Sequence, residues 1–505
     1  MNKIEIIVNP GGRSIRLESD RTLLAGLSAH GFFRHLSLCA GIGRCANCRL
    51  KFVSPPPPAT QKEHEVLEPG EIDAAWRLAC EHLPRNGQEI SIPVKTPRLN
   101  FTRLSGEKPL FLAVDIGTTT VKWGFEHGRG RLSFGSAPNP QAGTGGEVMS
   151  RMQFALESPD NARVQQEAIQ ELIQDILDLV EVPPSRLLLT GNPAMICLAL
   201  GFDCTGIARS PYKLPLSGDD WYEMGPGLPR AYVPALISPF IGADITCGLY
   251  NTSFFPEKFP CLFADFGTNA EMVLLAGKGQ CFGTSVAMGP ALEGCGLRFG
   301  AAAGEKDACS EIVLDQNGIK PRGGEKCARL TASAYLDLIR RLKGLGLVQC
   351  SGHFSAASGS PLADRVRKQI KNGRLYLTEK IYLDSADIEE LLKVKAAFSL
   401  GLEALLKNAG ISPGELKRIF VAGALGERLS PGVLTGLGFL PSSSEGEIVF
   451  CGNTALAGGL QMARNLKDSR NRVQNIRDSV QSIDLARSET YSGNRFVRHM
   501  RFEFI

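Results

Sequence analysis

Four cysteines near the start of the chain have the spacing of a metal site. Cys39, Cys45 and Cys48 form C-x5-C-x2-C in the stretch CAGIGRCANC, and Cys80 follows in RLAC. Thiolates in this arrangement ligate iron, three from one wrapped loop and the fourth from a neighbouring element. Gly41 and Gly43 suit such a loop, because residues without a side chain let the backbone turn sharply and bring N–H groups close to sulfur. A [2Fe–2S] cluster on Cys39, Cys45, Cys48 and Cys80 is the sharpest reading. A structural zinc is the alternative, although its ligands usually come as paired short-spaced knuckles, and Cys80 stands alone. Of the 14 cysteines, the remaining ten are scattered between residues 197 and 451 without ligand spacing. They read as small buried hydrophobes rather than disulfides.

A second constellation points to phosphate chemistry. PLFLAVDIGTTTVKWGFEH (109–127) runs from an apolar strand through a carboxylate and a Gly-Thr turn to a second strand. CLFADFGTNAEMVLLAGKG (261–279) repeats the design. A glycine turn exposes backbone N–H groups and threonine hydroxyls to phosphate oxygens, and a carboxylate at the strand end holds Mg²⁺ through water. Asp115, Gly117, Thr118 and Thr119 are assigned to one side of a nucleotide, and Asp265, Gly267 and Thr268 to the other. Asp115 and Asp265 are the catalytic candidates. One D-x-G-T is a common hairpin turn, but two in matching context argue for duplicated halves sharing one site. In RIFVAGALGERL (418–429), Gly423 and Gly426 line a turn that would let an adenosine approach the backbone.

The elements that must position these groups are legible in outline. Residues 4–8 and 14–17 alternate in polarity around the turn signal NPGG, which reads as a hairpin. A helix, TLLAGLSAHG, ends at Gly31, and a strand over residues 49–53 leaves the cysteine loop. Hairpin, helix, cysteine loop and strand in this order resemble the β-grasp [2Fe–2S] ferredoxins, and the first gap of five residues looks like the adrenodoxin-type branch. The expected organisation is therefore a ferredoxin-like domain over 1–95, a linker over 96–108 and an ATPase domain over 109–505.

Bulk properties set the limits. The chain has 505 residues, is 43% hydrophobic and 21% charged, and carries 56 Lys plus Arg against 52 Asp plus Glu. That balance gives no reason to expect nucleic acid or a membrane surface as partner. The start, MNKIEIIVNPGG, lacks a signal-peptide h-region, and the most apolar run, 187–202, is interrupted by Thr190, Gly191, Asn192 and Pro193. The protein reads as cytoplasmic.

The three phosphate and adenosine segments together resemble the actin, sugar kinase and heat-shock chaperone superfamily, which implies two α/β lobes closing over MgATP. The fold class expected is thus an α+β β-grasp ferredoxin domain followed by an α/β two-lobed actin-like ATPase domain with duplicated halves. The combination resembles one family, the reductive activators of corrinoid enzymes. The cysteine set carries that resemblance, with LAVDIGTTTV (112–121), LLTGNPAM (188–195), GPALEGCGLRFG (289–300) and FVAGALGERL (420–429). It implies ATP-dependent one-electron reduction of cob(II)amide to cob(I)amide in the corrinoid protein of a methyltransferase system, with an upstream low-potential donor. The oligomeric state stays open, a homodimer included. Two features depart from the family pattern: only residues 90–108 separate ferredoxin from ATPase, and no cysteine follows Cys451. Rival readings are an ATP-gated donor to another low-potential metalloenzyme, a redox-regulated small-molecule kinase, and a nucleotide-gated scaffold without turnover. Asp244, Glu293 and Arg298 are polar groups near the expected site with equally good structural explanations. The tail 468–505 carries no interpretable motif and reads as a docking segment or a surface helix and strand.

Overall fold

The computed structural model describes residues 3–33, 41, 43, 46–93, 99–101, 108–255, 260–277, 279–294, 296–301, 305, 307–355, 359–423, 429–441, 446–485 and 493–504. The chain forms two compact units, one of residues 1–243 with 459–467 and the other of 244–458 with 468–505.

The first unit begins with a five-stranded sheet of order β2-β1-β5-β3-β4, built from β1 (Lys3–Asn9), β2 (Arg13–Glu18), β3 (Arg49–Phe52), β4 (Trp76–Leu78) and β5 (Glu89–Ser91). Alternation in KIEIIVN buries Ile6 and Val8, and the antiparallel register sets Ile6 beside Ile15 and Ile4 beside Leu17. Helix α1 (Leu23–Ala29) starts at Thr22, whose hydroxyl accepts from the Ala25 N–H at 3.3 Å. Its Leu23, Leu24 and Leu27 are buried with the inward residues of the sheet. One helix laid over a mixed sheet is the β-grasp arrangement that the sequence leads one to expect.

A seven-stranded sheet follows in the same unit, of order β11-β12-β10-β7-β8-β9-β6. Its edge strand β6 (Asn100–Phe101) pairs with β9 (Leu132–Pro138), so part of the expected linker is sheet, while 96–98 and 102–107 lie outside the described residues. Strands β7 (Pro109–Ile116), β8 (Thr120–His127) and β9 form an antiparallel meander. On the other side of β7, β10 (Arg186–Gly191) runs parallel to it, and β12 (Ala231–Val233) parallel to β10; β11 (Asp220–Tyr222) closes that edge. Central strands covered on both faces read as continuous apolar runs, which is why LFLAV and RLLLT show no alternation. Helices α2 (Val148–Glu157), α3 (Pro159–Leu177) and α4 (Pro193–Leu200) pack with a core that includes the fully buried Trp123 and Phe125.

The second unit repeats the plan. After helix α5 (Ala243–Asn251), β13 (Cys261–Phe266), β14 (Asn269–Gly277) and β15 (Gln280–Ala287) form an antiparallel meander. Strand β16 (Arg418–Gly423) lies parallel to β13, and β17 (Glu447–Gly452) parallel to β16. Both halves therefore share the order third, second, first, fourth, with one further parallel strand beyond, β12 in the first and β17 in the second. The long helix α6 (Ser385–Ala409) is capped by Asp384 and stopped by Gly410 at φ +64, and its Phe398 stacks on Phe266 at 4.6 Å.

The tail is part of this core. Residues 481–482 form β18, which pairs with β15, helix α7 (Gly493–His499) packs on α6, and Phe502 is fully buried. Lys395, also fully buried, donates to the carbonyls of His499 at 3.2 Å and Glu503 at 2.6 Å, and His499 pairs with Glu403 at 2.9 Å. The expectation of packing thiols fails at one pair: Cys309 and Cys327 form a disulfide with Cα atoms 5.9 Å apart. Among the described residues no helix is long and apolar enough to cross a membrane.

Candidate functional site

Cys48 and Cys80 meet at the end of the β-grasp sheet. Cys48 precedes β3, Cys80 sits in the 3-10 turn Ala79–Glu81, and the Ala79 N–H donates to the Cys48 carbonyl at 2.9 Å. Both side chains are buried, with sulfurs 3.5 Å apart. A disulfide needs about 2.05 Å, whereas two thiolates on one tetrahedral metal at about 2.3 Å lie about 3.7 Å apart. The pair thus has the separation of two ligands of one metal atom. Gly41, at φ +79, lies beside Cys80, where a Cβ would be in ordinary contact with Cys80 Cβ at 3.9 Å, so it is the backbone angle that favours glycine here. Cys39 and Cys45 lie outside the described residues. Among those described, no group of three or more His, Cys, Asp or Glu side chains is placed to hold a metal ion.

A brace behind Cys80 escaped the sequence reading. Glu63, fully buried, accepts from the Leu78 N–H at 2.6 Å and faces His82 Nε2 at 2.9 Å. Burial opposes its charge, but the hydrogen bonds from His82 and from the Leu78 and Thr60 N–H groups prevail and hold its carboxyl below the ordinary range.

The first phosphate turn joins β7 to β8. Asp115 is the next-to-last residue of β7 and lies beside Thr190 of β10. A Cβ at Gly117 would stand 2.5 Å from the Thr120 carbonyl, so only glycine closes this turn. Asn139, fully buried, clamps it: its backbone N–H donates to the Thr119 carbonyl at 2.9 Å and its Nδ2 to the Gly117 carbonyl at 2.8 Å. Asn192 Nδ2 donates to Thr118 Oγ1 at 3.3 Å, while its Oδ1 caps α4.

The second turn is built alike. The Gly267 N–H donates to the Asn269 carbonyl at 2.9 Å, the Met288 N–H to the Thr268 carbonyl at 3.1 Å, and Thr268 Oγ1 to Glu293 Oε1 at 2.5 Å. Asp265 lies opposite Glu271 in the antiparallel register and beside Ala422 in the parallel one. Glu271 is buried and accepts from Ser285 Oγ at 3.0 Å. Burial first, then the charges of Asp244 and Asp265, push its carboxyl well above the usual carboxylate range. Gly423, at φ +81, presses on the same place: a Cβ there would fall 2.1 Å from Asp265 Oδ1 and 2.5 Å from the Phe266 carbonyl. Gly426 lies outside the described residues.

Asp244 and Arg298 both have structural work. Asp244 accepts from the Ile245 N–H at 2.8 Å at the start of α5. The Arg298 N–H donates to Asp387 Oδ1 at 2.8 Å and its guanidinium lies over the Tyr382 ring at 5.5 Å. The structure thus gathers Asp265, Thr268 and Gly423 in the second unit, and Asp115, Gly117, Thr118 and Thr119 in the first. Sequence reasoning missed Asn139, Gly191, Asn192 and Glu271. The signal was present in LTG (189–191), which ends β10 as VAG (421–423) ends β16, with Gly191 beside Ile116 as Gly423 is beside Phe266, and in the Asn192 that follows as helix cap.

A ferredoxin-like β-grasp sheet followed by two copies of one meander-plus-parallel-strand half, each with a D-x-G-T turn, defines an actin-like protein with an N-terminal ferredoxin-like module. Residues 110–255 match the RACo middle region, and residues 260–503 match the C-terminal domain of RACo, the ASKHA domain. With most of its length matched by these consecutive regions, the chain belongs to the RACo family of reductive activators of corrinoid proteins. The matched ASKHA domain points to a nucleotide as a ligand.

Curated relatives agree. The chain is 28% identical over 391 residues to the corrinoid activation enzyme RamQ of Eubacterium limosum, covering 70% of this chain and 64% of that protein. It is 27% identical over 390 residues to the [Co(II) methylated amine-specific corrinoid protein] reductase of Methanosarcina barkeri, covering 69% and 68%. The match to RamQ thus spans under two thirds of that protein's length. A solved reductive activator for corrinoid, iron–sulfur protein shares the fold, with a TM-score of 0.69 and 20% identity over 99% of this chain and 98% of that one.

Proposed function

We propose that the protein is a cytoplasmic, ATP-dependent reductive activator that passes one electron from a [2Fe–2S] cluster to the cob(II)amide of a corrinoid protein, restoring cob(I)amide for methyl transfer. The observation that carries this reading is the buried Cys48–Cys80 pair, 3.5 Å apart, in one chain with two D-x-G-T turns on duplicated halves. The names of the two curated relatives support a corrinoid acceptor over another metalloenzyme.

Cys39, Cys45, Cys48 and Cys80 would hold the cluster, which supplies one electron at low potential when loaded by an upstream donor. The turns at Gly117–Thr119 and Gly267–Thr268 would supply N–H groups and hydroxyls to phosphate oxygens, the Thr268 hydroxyl exchanging its Glu293 bond for the phosphate, and Asp115 and Asp265 are the carboxylates that would hold Mg²⁺ through water. Gly423 and Gly426 are the residues at which an adenosine would approach the backbone. ATP is needed because plant-type clusters lie near −400 mV and the family implies a resting cobalt that is harder to reduce. Each 59 mV of mismatch is a tenfold factor against transfer. A nucleotide can correct this by favouring a state in which the acceptor is easier to reduce.

Hydrolysis of MgATP by the iron-loaded protein, measured with and without a cob(II)amide-bearing corrinoid protein, tests the proposal. Turnover that rises with the corrinoid protein and is lost in Asp265→Ala supports it. Binding without turnover would favour the scaffold reading, and phosphorylation of a hydroxyl compound would favour a kinase.

A further inference from the structure

Within the first compact unit the β-grasp sheet is seated on the actin-like half, and the seat begins at the first phosphate turn. Asn139, which clamps the Gly117 and Thr119 carbonyls, also accepts from the Gln141 N–H at 2.9 Å through its Oδ1 and so starts the 3-10 turn Pro140–Gly143. Gln141 Nε2 ties that turn to the Gln165 carbonyl of α3 at 3.0 Å. At its far end, Ala142 packs against the apolar core of the β-grasp sheet. Gly143 lies against α1 so tightly that a Cβ would stand 1.9 Å from Ser28 Oγ and 2.4 Å from Ser28 Cβ. A second contact flanks it: the Arg21 guanidinium stands 5.2 Å over the Phe154 ring and pairs with Glu157 of α2.

The route continues to the thiols. Helix α1 packs on the 3-10 turn that carries Cys80, the Leu23 N–H donates to the His82 carbonyl at 2.7 Å, and Leu23, Leu24 and Leu27 share one buried cluster with Cys48 and Cys80.

We propose that Asn139–Gly143 is a positioning strut through which the nucleotide state of the first phosphate turn is read at the iron–sulfur site. The proposal rests on the reading that residues 117–119 bind phosphate and that Cys48 and Cys80 hold the cluster. Turning the Thr118 N–H toward a phosphate rotates the peptide plane whose Gly117 carbonyl Asn139 holds, and the neighbouring Thr119 carbonyl is held by the same residue. Asn139 has no slack, because its N–H, Nδ2 and Oδ1 are all engaged, so the displacement passes into the 3-10 turn. At Gly143 the contact with Ser28 leaves no gap to absorb it, and packed elements shift between discrete arrangements rather than compressing. Helix α1 and the Cys80 turn then move together, changing the surroundings of the sulfurs.

The test uses the full-length, iron-loaded protein. Its cluster is titrated against potential by electron paramagnetic resonance with no nucleotide, with MgADP and with a non-hydrolysable MgATP analogue. Amide exchange of residues 23–29 is followed in parallel, and iron content and nucleotide affinity are measured on the same samples. The expected result is a nucleotide-dependent shift of about tenfold in the reduction equilibrium, 59 mV for one electron, with changed protection in α1. Gly143→Val keeps nucleotide and iron but loses the shift. Arg21→Glu weakens it, and Arg21→Glu with Glu157→Arg restores it. Nucleotide bound to the fully loaded protein with neither potential nor exchange changed would overturn the proposal, as would a full shift in Gly143→Val. A shift present without cobalt reduction would leave the strut standing and count against the activator reading; loss of iron or nucleotide binding in the parent protein would sink both.

Discussion

Replacing Gly423 by alanine should damage the second nucleotide half by an amount that can be worked out from its neighbours. At φ +81 an L-residue pays left-handed strain of about 1–2 kcal/mol. The new Cβ would also stand 2.1 Å from Asp265 Oδ1, 2.5 Å from the Phe266 carbonyl and 2.8 Å from the Phe266 nitrogen. Two of these three neighbours are backbone atoms of a central strand, so relief requires β13 or β16 to move, adding about 1–3 kcal/mol. The total is about 2–5 kcal/mol. Gly410→Ala separates the terms, because Gly410 has φ +64 but no atom within 4 Å of where its Cβ would stand, and should cost only the strain. Tryptophan fluorescence would miss the effect, since Trp76, Trp123 and Trp221 all lie in the first unit. Urea-dependent amide exchange of β13 reads it directly, and binding of a fluorescent ATP analogue gives the functional side. Gly423→Ala should lower nucleotide affinity at least tenfold through the displaced Asp265, with Gly410→Ala at the parent value. Equal stability and equal affinity in the two variants would refute the close apposition of Gly423 and Asp265.

Three further outcomes follow from the same geometry. Cys80→Ser should abolish iron retention and the visible cluster absorption while β1 and β2 keep their exchange protection, since the serine is nearly isosteric; full iron content would exclude Cys80 as a ligand. Glu271 has a carboxyl raised by burial and by Asp244 and Asp265, so in metal-free protein its contribution is intact below the ordinary carboxylate pKa and declines as pH rises through the elevated folded value. Glu271→Gln should flatten that part of the stability profile of the second unit, and an unchanged slope would contradict the assignment. Lys395 is depressed to about 8, chiefly by burial. Folding then disfavours its protonated form, so stability should rise between about pH 8 and 10.5, by about 3 kcal/mol, and Lys395→Met should lack that rise in urea titrations at fixed pH.

What the sequence disclosed depended on whether a residue acts through its own neighbours in the chain. The D-x-G-T turns and the hairpin around NPGG are local, and their residue types announce them. The doubled halves were visible for the same reason, since Asp115 and Asp265 recur in matching strand-turn-strand context. Asn139 was invisible because it follows the turn it clamps by a whole hairpin, and only the register of β8 with β9 brings it back to Thr119. Gly191 and Asn192 depend on β10 choosing β7 as its parallel neighbour, which no local pattern states. Glu271 looked like one polar residue in an apolar strand, and it takes the pairing with Asp265 to make it a buried carboxylate beside another. The tail has the helix and strand that one of its two readings offered, but its anchoring was hidden, because Arg- and Ser-rich composition masks single anchors such as Phe502 and the Glu403 partners Arg495 and His499.

The central claim is tested most directly by watching cobalt. The iron-loaded protein, a strong one-electron reductant and a cob(II)amide-bearing methyltransferase corrinoid protein are mixed without oxygen, and the visible spectrum is followed with and without MgATP. The account predicts a cob(I) band that rises only with MgATP and is lost in Cys48→Ser and in Asp265→Ala. A cluster that is reduced and ATP that is hydrolysed while cob(II) stays unchanged would contradict it.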